Sequence, residues 1–129
     1  MENTRLLQKA ECVIEGSFWN RYIEIVRDKV IPYQWDILND RIEGTEPSHA
    51  IENFKIAAKE KEGNFYGEIF QDSDLYKWLE AVGNILMLQR DEELEKYADE
   101  VIELIGRAQE PDGYLNTYFT IEEPDKKWT

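Results

Sequence analysis

Two carboxylates, Asp72 and Asp74, stand at the start of a predicted helix. Carboxylic acids can divide general acid and base work when they face each other across a substrate. Residues two positions apart at a helix start do not face each other, so this spacing identifies no catalytic pair. Capping of free helix N–H groups by Asp72 or Ser73 is the plainer interpretation. Three further acidic residues have nothing in their spacing to favour them: Asp36, Asp40 and Glu68.

Metal ligands and activated nucleophiles are also not indicated. His49 and Cys12 are the only histidine and cysteine, so no His-x-x-x-His or Cys-x-x-Cys spacing exists. His49 follows Ser48 at a predicted helix start, where a surface or capping-turn histidine is expected. Cys12 has no neighbouring base to activate it, and an inert or merely accessible thiol is expected. The sequence predicts no catalytic residue and no metal site.

Charge and composition restrict the partners. The chain has 129 residues, and its 28 acidic and 15 basic side chains give a net charge of −13. Such a surface repels nucleic-acid phosphates and anionic lipid, so we predict neither nucleic acid nor membrane as a partner. The opening residues lack the regions of a signal peptide, and one cysteine fits a reducing compartment. A cytoplasmic location is expected.

The acidic helix start leads into the clearest helical pattern of the chain. Apolar residues recur on one face from Leu75 to Leu86, and this helix is predicted to run to about Leu88. A second pattern, from Leu94 to Ala108, follows after a short connection. Short connections make neighbouring helices pack as a hairpin, and we place Trp78 in its core.

The flanking segments are predicted to be helical or irregular. A helix from Ser17 keeps its spacing until Pro32, with Trp19 in the core, and should end or bend near Ile31. Short helices are expected from Tyr33 to Arg41 and after Ser48. We also expect an ordered loop over residues 65–70, a type I turn over 110–113, extended chain over 114–119 and fraying after 119.

Three runs carry a family resemblance: Val30-Ile31-Pro32-Tyr33-Gln34-Trp35, the stretch from Phe70 to Glu80, and Ala108-Gln109-Glu110-Pro111-Asp112-Gly113-Tyr114-Leu115. Together they resemble the N-terminal part of glycoside hydrolase family 127, the β-L-arabinofuranosidases. The resemblance implies an all-α fold of helical hairpins, the first third of an (α/α) six-hairpin barrel. Residues 1–129 would then be one helical domain, an incomplete N-terminal part of a larger glycosidase catalytic barrel.

The resemblance also implies a chemistry that this chain does not contain. Family members use a zinc-bound cysteine nucleophile, with further cysteines and a glutamate as ligands, to hydrolyse β-L-arabinofuranosides with retention of configuration. Those residues belong to later parts of the barrel, and Cys12 matches none of them. We therefore expect no zinc site in this chain and no activity from it alone, although arabinose-containing glycans would be the substrate of the complete protein.

Four residues within the matching runs are implied to face the sugar: Gln34, Phe70, Asp72 and Tyr114. Amides and acids hold sugar hydroxyls, and aromatic rings stack on sugar faces. Core packing remains the alternative for Phe70 and Tyr114. The sequence also leaves open a stand-alone acidic helical module that binds a partner or a sugar. For the barrel fragment, the apolar helix faces that would have met the missing helices predict self-association.

Overall fold

The computed structural model describes residues 14–128, and every regular element within them is helical. The all-α prediction is therefore confirmed. The elements are α1 (Ser17–Ile25), a π-helical turn (Val26–Val30), α2 (Ile31–Leu38), α3 (Ala50–Ala57), α4 (Asp72–Leu88), α5 (Glu92–Ala108), α6 (Thr117–Ile121) and a 3₁₀ turn (Pro124–Lys126).

Helices α4 and α5 form the predicted hairpin, with only residues 89–91 between them. Asp91 caps α5, because its carboxylate accepts hydrogen bonds from the N–H groups of Glu93 (3.1 Å) and Leu94 (3.0 Å). The facing stripes are buried at Leu75, Trp78, Val82 and Ile85 on α4, and at Leu94, Ala98, Val101, Leu104 and Ala108 on α5.

Of the two outcomes predicted near Ile31, an end or a bend of the first helix, the structure excludes an end. The chain remains helical from Ser17 to Leu38 and passes through a π-helical turn just before the proline. At the end of that turn, the Ile31 N–H donates to the carbonyl of Val26, five residues earlier. Proline lacks an N–H group and crowds the carbonyl four residues before it, and the wider π turn accommodates this disturbance without a break.

Three aromatic rings join α2, α4 and α5 in the core. Trp35 stacks on Trp78 at 4.6 Å and on Tyr97 at 5.1 Å between ring centroids. The Trp78 indole N–H donates to the Ile31 carbonyl at 3.1 Å, which fixes α4 against the start of α2. The predicted core position of Trp78 is confirmed by its 2% exposure.

The core position predicted for Trp19 is wrong. Trp19 is 58% exposed, its neighbours Phe18 and Tyr22 are exposed as well, and α1 has no buried residue. Only Ile23 and Val26 from this stretch pack partly against the core. Helical spacing indicates that a face is apolar, but burial needs a partner, and the described residues provide none for this face of α1.

The C-terminal segment is more regular than expected. The turn over 110–113 is confirmed by a hydrogen bond from the Gly113 N–H to the Glu110 carbonyl (2.8 Å). The expected extended chain over 114–119 is wrong from Thr117 onward, because α6 starts there and is capped by the Asn116 side chain. Beyond residue 119, the chain completes α6 and a 3₁₀ turn, and the Trp128 ring contacts Tyr114.

Candidate functional site

A cavity of about 430 Å³ lies between the π turn, α2 and α4. Its walls are mainly apolar and include Ile31 and Trp78. Four polar side chains also line it: Gln34, Ser48, Asp74 and Lys77. Asp74 and Lys77 form an ion pair at 3.4 Å. An apolar cavity with a few polar groups is typical of a small-molecule site.

Polar contacts join several chain segments around the start of α4. Gln71, just before α4, donates through Nε2 to Ser48, just before α3, at 3.4 Å. Asp72, the first residue of α4, bonds Thr117, the first residue of α6. We call this region the loop end; it comprises residues 39–49, 65–72 and 109–117.

Two of the four predicted site residues are exposed at the loop end or in the cavity wall. Gln34 is exposed and lines the cavity. Phe70 is 69% exposed, so the alternative interpretation as a core residue is wrong for this ring. An exposed phenylalanine next to polar groups provides a flat apolar face for a ligand.

Asp72 is buried, with 6% exposure, and does not cap its own helix. Its carboxylate accepts hydrogen bonds from the Thr117 N–H (2.8 Å) and the Thr117 hydroxyl (2.5 Å). The capping interpretation is therefore wrong for both Asp72 and Ser73, because no side chain caps α4. Burial raises the pKa of Asp72, and the hydrogen bonds from Thr117 oppose that shift.

Tyr114 is half-buried and held on several sides. Its ring contacts Trp128 at 4.8 Å, and the Lys127 Nζ lies 5.6 Å from the ring centroid. Its N–H donates to the Asp112 carboxylate (2.9 Å), and its carbonyl accepts from the Glu110 N–H (2.9 Å). Tyr114 is thus part of a braced surface turn and not of the main core.

Sequence reasoning missed a pair at the loop end, His49 with Asp40. The His49 N–H donates to Asp40 Oδ1 (2.9 Å), and Nδ1 lies 3.4 Å from Oδ2. Both residues have left-handed backbones, with φ of 53° and 57°, which is uncommon for residues other than glycine. The His49 ring also contacts Tyr66 at 4.4 Å. The pair spans nine residues of irregular chain, so no periodic signal could reveal it.

The residues that the structure describes do not fit a zinc site. Over residues 14–128, no group of three or more His, Cys, Asp or Glu side chains could hold a metal ion. Cys12 lies outside the described residues. The same part of the chain contains no helix long and apolar enough to cross a membrane.

A model of the GH127 β-L-arabinofuranosidase catalytic domain matches residues 13–129, which is nearly the whole chain. This chain belongs to glycoside hydrolase family 127. The three runs that resembled the family lie within the matched region. The loop end of this GH127 chain therefore lies within the region that matches a glycosidase catalytic domain.

Relatives within GH127 agree with this assignment. A non-reducing end β-L-arabinofuranosidase from Bifidobacterium longum subsp. longum is 42% identical over 121 residues, covering 84% of this chain. The crystal structure of Ara127N, a GH127 β-L-arabinofuranosidase from Geobacillus stearothermophilus T6, is 66% identical and superposes over 90% of this chain with a TM-score of 0.88. The GH127 β-arabinofuranosidase BT3674 is 28% identical over 88% of this chain, with a TM-score of 0.71 and 17% of its own length covered. The chain spans 18% of the length of each of the first two proteins.

Proposed function

We propose that this chain is the N-terminal part of the catalytic barrel of a β-L-arabinofuranosidase-like glycoside hydrolase that acts on arabinose-containing glycans. One observation carries the proposal. Gln34, which lies in a run that resembles the family, is exposed in the wall of an apolar cavity within the region that matches the GH127 catalytic domain. The loop end then forms one side of the sugar-binding surface.

The side chains at this surface suit a sugar. Phe70 offers an exposed ring for stacking on the apolar face of a furanose. Gln34 carries both a donor and an acceptor, and the Ser48 hydroxyl can also act as either, which matches the hydroxyl groups of a glycan. These groups bind and orient a sugar, but they do not break a glycosidic bond.

Catalysis requires groups from outside this chain. Retaining glycosidases place an acid and a nucleophile on opposite sides of the scissile bond. Here Asp72 is buried against Thr117, and Asp74 is paired with Lys77, so neither forms part of a facing carboxylate pair. We therefore propose that the isolated chain is inactive.

A chimera tests the proposal. The 129-residue chain replaces the equivalent N-terminal portion of the Geobacillus enzyme, and hydrolysis of p-nitrophenyl β-L-arabinofuranoside is measured. We expect the chimera to be active and the isolated chain to be inactive. A folded chimera without activity would contradict the proposal. Binding of L-arabinose by the isolated chain, lost in Phe70→Ala with the fold intact, would favour the alternative of a sugar-binding module.

We also propose that the isolated chain self-associates through α1. Phe18, Trp19 and Tyr22 form an exposed aromatic cluster, with ring centroids about 5 Å apart (Phe18 to Trp19 5.1 Å, Phe18 to Tyr22 5.0 Å). Contiguous exposed apolar surface of this kind favours association. Sedimentation equilibrium should show a dimer or larger species that Trp19→Asp dissociates. A strictly monomeric wild-type chain would contradict this proposal.

A further inference from the structure

An ion pair of α4 forms part of the wall of the cavity between the π turn, α2 and α4. The Asp74 carboxylate and the Lys77 ammonium group lie 3.4 Å apart, and both side chains line this cavity together with Gln34 and Ser48. The rest of the wall is apolar. The four polar side chains and the apolar wall therefore surround one space, in which a single ligand can contact both.

The pair contributes little to the fold. Half of the Asp74 side chain and 71% of the Lys77 side chain are exposed. Exposed ion pairs on a helix stabilise proteins only weakly, because water screens the charges and the long lysine side chain loses conformational freedom. The charged groups of this pair are therefore available to a ligand without loss of the fold.

The charges in the cavity wall favour a neutral ligand. Among the described residues, Asp74 and Lys77 are the only charged side chains that line the cavity, and their charges cancel. A ligand with a net charge would place that charge against a mainly apolar wall without compensation, which is unfavourable. A neutral molecule with several hydroxyl groups, such as a sugar, avoids this penalty.

Hydroxyl groups also match the donors and acceptors of the wall. A carboxylate has about four lone-pair positions on its two oxygens, and the Lys77 ammonium group contacts Oδ1 of Asp74. The Ser48 oxygen accepts from the Gln71 side-chain amide and the Ala50 N–H, each at 3.4 Å, so its O–H can donate to a ligand. A sugar hydroxyl can donate to Asp74 and accept from Ser48. Hydrogen bonds to an ionised acceptor are roughly twice as strong as neutral ones, so the bond to Asp74 should contribute most.

We propose that Asp74, held by Lys77, is a substrate-binding residue that accepts a hydrogen bond from a hydroxyl group of a neutral sugar in this cavity. The inference rests on the proposed function for the identity of that sugar as an arabinofuranoside. Asp74 binds and selects the substrate and takes no part in breaking the glycosidic bond.

Kinetics of the chimera described above test this role. Asp74→Ala removes the acceptor, and Glu80→Ala is the matched control, because Glu80 is an exposed acidic residue of the same helix that does not line the cavity. We expect Asp74→Ala to raise KM about tenfold with kcat within about threefold of the parent, as for a loss of binding common to ground and transition states. Glu80→Ala should change both constants by less than about twofold. Asp74→Asn, which keeps the shape and one acceptor oxygen, should lie between the parent and Asp74→Ala.

Deoxy substrates distinguish a direct contact from an effect on structure. The 2-deoxy, 3-deoxy and 5-deoxy analogues of the p-nitrophenyl arabinofuranoside each lack one hydroxyl group. With the analogue that lacks the bonded hydroxyl, Asp74→Ala should raise KM by less than about twofold, because the two changes remove the same interaction.

Two results would overturn the inference and leave the proposed function intact. In the first, an active chimera has the same KM with Asp74→Ala as with Glu80→Ala. In the second, Asp74→Ala raises KM equally on the parent substrate and on all of the deoxy analogues. An inactive parent chimera would overturn the proposed function and this inference with it.

Discussion

The Asp72 carboxylate is buried and accepts two hydrogen bonds, both from Thr117. Burial raises its pKa above the ordinary value, so the carboxylate pays a desolvation penalty when ionised. A neutral asparagine can accept from the Thr117 N–H and donate to the hydroxyl. The hydrogen-bond geometry of this pair can therefore be kept by a neutral side chain at position 72.

The free energy of unfolding of the isolated chain should depend on the Asp72–Thr117 hydrogen bonds. Asp72→Ala should lower the free energy of unfolding by about 1–3 kcal/mol, because the Thr117 donors lose their buried partner. Asp72→Asn should cost less than Asp72→Ala. Urea unfolding followed by circular dichroism gives the values, and Thr120→Val should lie within about 0.5 kcal/mol of the parent. Equal losses for the alanine and asparagine variants would contradict the argument.

Tyr76 makes a pH-dependent contribution to the free energy of unfolding. Burial, with a smaller effect from the Asp72 charge, raises the pKa of Tyr76 from 10 to about 12. Between these values the folded chain holds a proton that the unfolded chain has released, so the free energy of unfolding falls as the pH rises from 10 to about 12. Tyr76→Phe should reduce this fall in urea unfolding experiments across that interval. Tyr33→Phe, at an exposed tyrosine, is the control, and an unchanged slope in Tyr76→Phe would refute the prediction.

At the scale of single elements, the sequence predicts a helix well where an apolar stripe and a capping residue both occur. The α4–α5 hairpin has a continuous apolar stripe, a short connection and an acidic start at Asp91, and its bounds match the prediction closely. Near Pro32 the sequence predicts an end or a bend of the first helix, and the proline alone does not reveal the π turn through which the helix continues. The predicted burial of Trp19 is wrong for a different reason. Whether a helix face is buried depends on segments that are distant in sequence.

The aromatic stack offers a test of element packing with its own control. The Trp78 indole N–H bonds the Ile31 carbonyl, whereas the Trp35 indole N–H is buried without a partner in the described residues. Trp78→Phe should therefore cost more free energy of unfolding than Trp35→Phe, by about 1–3 kcal/mol. Thermal or urea unfolding of both variants decides the point. A larger loss for Trp35→Phe would contradict the assigned hydrogen bonds.

The loop that carries Phe70 depends on Asn53 in α3. Asn53 is 1% exposed and satisfies both backbone groups of Tyr66. Asn53→Ala should cost about 1–3 kcal/mol, since two buried groups lose their partner. Amide hydrogen exchange over residues 65–71 should accelerate in this variant and remain unchanged in Asn64→Ala, at an exposed position. Equal exchange in both would show that Asn53 does not order the loop.

At the scale of the whole molecule, helices α2 to α5 share one buried core, while α1 exposes an aromatic face with Phe18, Trp19 and Tyr22. The resemblance in three short runs predicted the family and the all-α class, and the family match confirms the former. The arrangement of the site was less predictable. The contact of Asp72 with Thr117 joins residues 45 positions apart, so the sequence indicates only a cap for Asp72. The sequence predicts a surface or capping-turn histidine at His49, which is the N-cap residue of α3, but does not reveal its tertiary pairing with Asp40.

The measurement that tests this account most directly is kcat/KM of the chimera on p-nitrophenyl β-L-arabinofuranoside, relative to the unmodified Geobacillus enzyme. If the chain supplies a working part of the sugar-binding barrel, kcat/KM should fall by no more than about tenfold, or about 1.4 kcal/mol of transition-state stabilisation. A chimera that folds with the thermal stability of the parent but has no detectable turnover would contradict the account.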